Sequence, residues 1–308
     1  MYEIILGLFE EEAAQASVPL RSVELDPFVR KIVFALKVGP TADAVDEGMI
    51  PRVAVPPQIS DAVLLAAQFR SMFGANDLDS LYEFPALVDK VLGVTIFTLE
   101  EQRISGACAV IEGRPFIFIS AFASVDPLYI CARQLGHLLT LPARDKKVVL
   151  ELAHETSHAP RGPYKRFADY FALELLIPTR GLATALAEVR KLLKVTNQSI
   201  GDIELLYLSH IFGVSFLSIA RRCERASLLP RGGAAAFYQT LLEQFGGPEK
   251  RASTAMLPPR PRIAIPKVSH SLAMQTGRQI RGGSFSVQEA GRELGLPSSY
   301  FEQILGMH

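Results

Sequence analysis

The sequence predicts an α+β fold: helices packed on a small mixed or antiparallel sheet, followed by helical segments with the outline of a helix-turn-helix. Three observations predict it. Residues 94–119 concentrate β-branched and aromatic side chains in short runs, which favours strands. Amphipathic helical periods precede those runs from Ser60 and follow them from Leu128. From Ile203 an apolar period is broken once, by Gly213, Val214 and Ser215, and resumes to Cys223, the pattern of two helices joined by a tight turn.

Composition bounds the class. A chain of 308 residues, 49% hydrophobic and 21% charged, is globular and long enough for two or three modules. Its formal net charge of zero provides no global attraction to nucleic acid or to an anionic membrane, so any such role rests on local charge. Cys108, Cys131 and Cys223 are spread out with no C-x-x-C pair, as suits a reducing compartment. Cys131, two residues before Arg133, reads as a small buried hydrophobe. No apolar run approaches the roughly 20 residues of a membrane span, and Met1 is not followed by a basic and then apolar leader. A cytoplasmic protein without a membrane partner is expected.

Residues 1–58 form a first segment of unassigned role. Tyr2 to Phe9 suits a strand or a short helix, and Val23 to Val38 mixes apolar and charged residues around Pro27. The segment lacks two helical periods joined by a Gly-containing turn, so no DNA-reading helix pair is expected there. Pro40, Gly48, Pro51, Pro56 and Pro57 punctuate the passage into a central domain over 59–228.

In that domain Ala62, Leu64, Leu65, Ala66, Phe69 and Phe73 outline a helix that Gly74 can cap, and Leu81 to Leu92 outline another. Val94 to Leu99 reads as a strand. Ala107 to Ile111 and Pro115 to Ile119, divided by Glu112, Gly113 and Arg114, read as a hairpin. Leu128, Ile130, Leu135, Leu138 and Leu139 then follow helical spacing, with Ala132 between them. This buried helix carries Arg133, Gln134 and His137.

The spacing of those three residues points to a particular chemistry. A zinc peptidase places two His at i and i+4 on one helical face to reach the ion, with a Glu at i+1 to take a proton from metal-bound water. Here Arg133 holds the first His position and Gln134 the Glu position, and His137 alone is retained. An always-charged guanidinium repels a dication, and a carboxamide has no lone pair suited to general-base work.

Further on, Lys147 to Ala153 suits a helix, and residues 154–158 read His-Glu-Thr-Ser-His. Thr156 and Ser157 are poor inward residues, and Ala159 to Pro163, with Pro160 and Gly162, would end a helix at once, so a polar loop is the simpler reading. The alternative is a metal held by His137, His154 and His158 with Glu155 as base. Phe167, Tyr170, Phe171, Leu175 and Leu176 mark a second buried helix closed by Pro178. Its acids Asp169 and Glu174 are the candidate partners for Arg133, the other option being a solvated guanidinium at a pocket mouth.

The hairpin Ile104 to Ser120, the run Arg133-Gln-Leu-Gly-His137, and the pieces Phe167-Ala-Asp-Tyr-Phe-Ala172 and Leu175-Leu-Ile-Pro178 together resemble the ImmA/IrrE family. Its pattern is a hairpin, a helix with His-Glu-Leu-Gly-His, a variable loop, and a second helix with Glu-Ala-Asn-x-Phe-Ala and Leu-Met-Pro. The resemblance implies a zincin-like domain in a protein that cleaves or inactivates a repressor and so switches on mobile-element or stress genes. It also implies a Glu as third metal ligand where Phe167 stands.

With Arg133, Gln134 and Phe167 at three chemical positions, no catalytic residue and no metal or other cofactor is expected, zinc being the alternative through the 154–158 motif. The former cleft, formed by Arg133, Gln134, His137 and Phe167, is expected to bind a peptide segment or a small anion. A repressor or other regulatory protein is the expected partner.

Leu182 to Leu193 reads as another helix, and the helix-turn-helix shape falls within 196–228. Its second helix carries Arg221, Arg222 and Arg225, but opens with Phe216 and Leu217 where a base reader needs polar side chains. The last segment, 229–308, begins with a Pro-rich stretch over 246–266 that reads as an extended linker. Between Lys250 and Gln288 stand seven Lys or Arg and no acid, so 250–281 is the candidate nucleic-acid footprint. Ser286, with Glu289 three residues on, opens a closing helix pair, with a second cap at Ser298 or Ser299.

Overall fold

A computed structural model of the chain describes residues 1–15, 20–39, 53, 56–122, 126–153, 162–260, 263 and 265–306. In chain order its regular elements are α1 (Tyr2–Gln15), α2 (Ser22–Val38), α3 (Ile59–Met72), α4 (Phe84–Leu92), β1 (Thr95–Leu99), β2 (Ile104–Ile111), β3 (Arg114–Ser120), α5 (Pro127–Thr140) and β4 (Val148–Leu152). There follow α6 (Pro163–Leu176), α7 (Thr179–Leu193), α8 (Asp202–Phe212), α9 (Phe216–Arg225), α10 (Gly233–Phe245), α11 (Pro248–Thr254), α12 (His270–Arg281), α13 (Val287–Leu294) and α14 (Ser298–Leu305). Helices and one small sheet thus make the expected α+β fold. Among the described residues no single helix is long and apolar enough to cross a membrane.

Two compact units interleave along the chain and do not follow the consecutive division 1–58, 59–228 and 229–308. One gathers residues 1–58, 83–168 and 264–308, the other 59–82 and 169–263.

The first unit is organised by the sheet, in strand order β1-β3-β2-β4. β1 and β3 run parallel, while β2 is antiparallel to both β3 and β4. The hairpin between β2 and β3 turns through Glu112 and Gly113, both at positive φ, as a two-residue turn matched to strand twist requires. Lys147 to Ala153, expected as a helix, supplies instead the edge strand β4. The paired β-branched residues of Val-Val-Leu-Glu-Leu and its shortness suit a strand buried on both faces.

Alternation divides the sheet into two faces. Phe97, Leu99, Ala107, Ala109, Phe116, Phe118, Val148, Leu150 and Leu152 join an apolar cluster with Phe9, Phe28 and Ile32 of the N-terminal helices and with Leu272, Leu294 and Phe301 of the C-terminal ones. Phe28 packs at a tilt between Phe9 and Phe118, with ring centroids 5.5 and 5.0 Å away. The segment 1–58, without an assigned role from its residues alone, thus begins with a helix pair that covers one side of the sheet. Tyr2 to Phe9 lies in α1.

The chain's two ends are tied into this layer by polar contacts. Lys31, 7% exposed, donates to the Leu294 carbonyl at 2.6 Å, where the C-terminus of α13 favours a cation. Asp89 Oδ2 accepts from Ser271 N at 3.0 Å, capping α12 from outside its own chain segment. The stretch expected as an extended linker contains α11, and the residues that follow it cover the edge of β1: Thr98 N donates to Lys267 O at 3.0 Å and Ser269 N to Ile96 O at 2.8 Å. An edge so paired offers no free backbone groups to a stray strand. Ser286 Oγ caps α13 through Glu289 N at 3.1 Å, as the sequence predicts.

In the second unit, α8 and α9 meet at 107° across Gly213, the helix-turn-helix outline. Phe216, Ser218, Ile219, Ala220, Arg222 and Cys223 of α9 are all buried, so this helix is a packed element of the unit. Arg70, 3% exposed, donates to the carbonyls of Leu175 and Asp79, each at 2.7 Å, and of Asn76.

The first unit's core makes a direct prediction. Phe28→Ala removes a buried ring from between two others, and should lower stability by about 3–5 kcal/mol, read as a fall in the urea midpoint. An exposed residue of the same helix, such as Lys37→Ala, should change it by less than about 0.5 kcal/mol.

Candidate functional site

α5 begins where Asp126 accepts a hydrogen bond from Leu128 N at 3.0 Å and Pro127 takes the first helical position, a strong start signal. The helix lies on the sheet face opposite the apolar cluster. Two glycines set how closely it packs. A Cβ on Gly106 of β2 would lie 2.9 Å from both Gln134 Nε2 and Ile130 Cγ2, so only glycine lets α5 approach the sheet at that depth. A Cβ on Gly136 would lie 2.8 Å from the Ala168 Cα, so the glycine of the Arg133-to-His137 run is where α6 crosses at backbone distance.

The residues at the zinc-peptidase positions converge on one carboxylate, Glu151 of β4. Arg133 Nη2 lies 2.7 Å and His137 Nε2 3.0 Å from Glu151 Oε1, and Gln134 Nε2 donates to Oε2 at 2.9 Å. Arg133 Nη1 also donates to Tyr129 Oη at 3.2 Å. Tyr129, Arg133 and His137 stand four residues apart, on one helical face. Glu151 projects toward them because Val149 and Glu151 alternate with the strand residues that enter the apolar cluster. Opposite Glu151 in the sheet sits Gly106, which leaves room for the Gln134 amide.

The cluster is sealed. Arg133 is 1% exposed, and Gln134, His137 and Glu151 are 0% exposed. Burial alone would raise the Glu151 carboxyl, but the charge of Arg133 and the hydrogen bond from His137 beside it hold it down at about 2. Burial holds His137 below its ordinary value, against the opposing pull of Glu151. The neutral imidazole therefore donates its Nε2 proton to the carboxylate. Nδ1 keeps the lone pair and has no hydrogen-bond partner among the described residues.

Two readings of Arg133 are corrected by this geometry. It is neither solvated at a pocket mouth nor paired with an acid of the second helix. Asp169 and Glu174 each hold an arginine of α9 instead: Arg225 pairs with Asp169 and stacks over Tyr170 at 4.0 Å, and Arg222 pairs with Glu174 at 2.5 Å. Two of the three arginines considered for phosphate contact are thereby engaged inside their own unit. Arg251 and Arg260 of the basic stretch pair with Asp202 and Glu249, each at 2.6 Å.

Phe167 is 1% exposed, a core residue of α6. Arg133, Gln134, His137 and Phe167 are thus buried side chains in a packed interior, not the lining of an open cleft.

A zinc ion does not fit these residues. Arg133 brings a permanent positive charge, Gln134 offers no anionic ligand, Phe167 offers no lone pair, and the His137 nitrogen nearest the cluster carries the proton given to Glu151. Among the described residues no group of three or more His, Cys, Asp or Glu could hold a metal ion. His154, Glu155 and His158, the alternative ligands and base, lie outside the described residues. Sequence reasoning missed Glu151. The available signal was an acid in the middle of an apolar five-residue run, downstream of a buried Arg that needs an anion.

Acid should dismantle the cluster in two stages. His137, held below its ordinary value of 6.5, contributes stability that is full above that pH and declines below it. Glu151, ordinarily at 4.5 and here at about 2, contributes stability that is full above 4.5 and is lost as pH falls toward 2. Urea midpoints should therefore fall steadily from pH 6.5 downward. Glu151→Gln should cost about 3–5 kcal/mol at pH 7 by stranding Arg133, and should abolish the stage between 4.5 and 2.

No curated protein matches the chain. Residues 89–224, from the end of α4 into α9, match the family model Peptidase_M78, the IrrE N-terminal-like domain. That stretch carries the hairpin, the altered motif helix and the second helix, so the segment 89–224 is an IrrE N-terminal-like domain.

Proposed function

We propose that this chain is a regulatory protein whose zincin-like domain no longer cleaves peptides. It acts by binding a repressor or another regulatory protein, in the control of transcription or of a mobile-element or stress response. One observation carries the reading: every polar side chain at the motif positions of α5 is turned onto the Glu151 carboxylate. Peptide hydrolysis by this family's route needs a Lewis-acidic ion, a water on it and a base beside it. A guanidinium accepts no lone pair, an amide takes no proton at neutral pH, and both carboxylate oxygens of Glu151 already accept hydrogen bonds. No hydrolytic step can be written with these groups.

The burial of Arg133 and the pairing of its charge also move partner recognition away from that guanidinium and onto the surface of the domain. The arginines of α9 are committed to Glu174 and Asp169, which favours a protein partner over nucleic acid.

Elemental analysis tests the reading. Protein purified without added metal should contain no stoichiometric zinc, and chelators should leave its melting temperature unchanged. One zinc per chain together with chelator-sensitive cleavage of a regulatory protein overturns it. Loss of that zinc on His154→Ala would assign the activity to the 154–158 motif.

A further inference from the structure

The altered motif helix keeps one metal-binding residue, His137, and faces an acid that the family pattern does not place there. Glu151 Oε1 lies 3.0 Å from His137 Nε2. A tetrahedral zinc with bonds of about 2.0–2.2 Å to nitrogen and oxygen holds its ligand atoms about 3.3–3.6 Å apart, so a parting of a few tenths of an ångström would turn this hydrogen-bonded pair into two ligands of one ion. The third atom at this point is Arg133 Nη2, 2.7 Å from the same oxygen and four residues before His137, on the same face of α5. A residue at that position is where an i, i+4 histidine pair would complete the set.

The positive charge that Glu151 meets is therefore organic and not metallic. The guanidinium is planar, delocalised and weakly hydrated, and so is well suited to a buried seat beside a carboxylate. Gln134 occupies the other oxygen and fixes the carboxylate's orientation, while Ser105 Oγ holds the Glu151 backbone carbonyl at 3.1 Å. Such outer contacts are what hold metal ligands in position in working sites.

We propose that this cluster is a metal site with its ion replaced by the Arg133 guanidinium. Strand β4 supplies the acidic ligand, Glu151, in place of the second helix, and the substitution Arg133→His alone converts the cluster into a two-histidine, one-glutamate zinc centre. This inference rests on the reading that the natural chain binds no ion there.

The test refolds three proteins with Co²⁺ as probe: the full-length chain, R133H and R133H/E151Q. The natural chain should take up none. R133H should bind one Co²⁺ per chain with the intense visible absorption of a tetrahedral site, and zinc should displace the cobalt and raise the melting temperature of the variant. Adding E151Q should weaken cobalt binding by more than about 10-fold, the loss that even an outer-shell change can produce.

A folded R133H that binds no cobalt overturns the proposal, and so does binding that survives E151Q. Should R133H not fold, R133C provides a smaller ligand for the same reading. Failure of both to fold with cobalt or zinc present also overturns the proposal, because the ion was to supply the charge that Arg133 gives. Cobalt bound at one equivalent by the natural chain refutes instead the non-catalytic reading itself, so the two failures are told apart.

Discussion

A carboxylate with no exposure to water, set between a helix and an edge strand, is the constraint on which this molecule's central domain depends. Bringing Glu151 out of solvent is costly, and the cost is met only if a positive charge and further donors close around it. α5 provides all of them. Arg133 gives the charge, His137 and Gln134 the remaining hydrogen bonds. A shift of α5 by one residue would swing Arg133 about 100° from the carboxylate, so the cluster fixes the register of helix on sheet. Gly106 and Gly136 exist in that geometry because the helix has to lie close to the sheet on one side and to α6 on the other.

The same sheet explains why the chain needs its flanking segments. Its second face is apolar from Phe97 to Leu152 and would be exposed if 89–224 stood alone. The N-terminal helix pair and the three C-terminal helices cover it, although more than 200 residues separate them in sequence. Lys31, Asp89 and the pairing of Lys267 and Ser269 with β1 hold the arrangement by backbone contacts. Those contacts are directional where the apolar packing is not. The matched segment is therefore the part that carries the family pattern, and the ends of the chain are the part that makes it a closed core.

Much of this was legible in the residues. The hairpin announced itself through Glu112 and Gly113 between two β-rich runs, and α5 through its apolar period. What the sequence withheld was the pairing. Asp169 and Glu174 looked like partners for Arg133 because they sit on the neighbouring motif helix, but each answers an arginine of α9. Glu151 was hidden because Lys147 to Ala153 fits a helical period as well as a strand, and only in the strand does its side chain share a face with Val149 and point at α5. Short apolar runs carry this ambiguity intrinsically. The helices of 1–58 were obscured for a related reason: Pro27 lies inside α2, where its missing N–H removes one intrahelical hydrogen bond and the packing of Leu25, Phe28, Val29 and Ile32 overrides that local penalty.

The chemistry of the site follows from the cation that meets its carboxylate. A bound zinc keeps an open coordination position, and that position is where water is activated. A guanidinium has no such position: its N–H groups only donate, here to Glu151 and Tyr129, and it cannot polarise a carbonyl as a Lewis acid does. The fold nonetheless requires a positive charge at this point, because the carboxylate it holds is buried. Arg133 supplies that charge, and with it the electrostatic tie between α5 and β4.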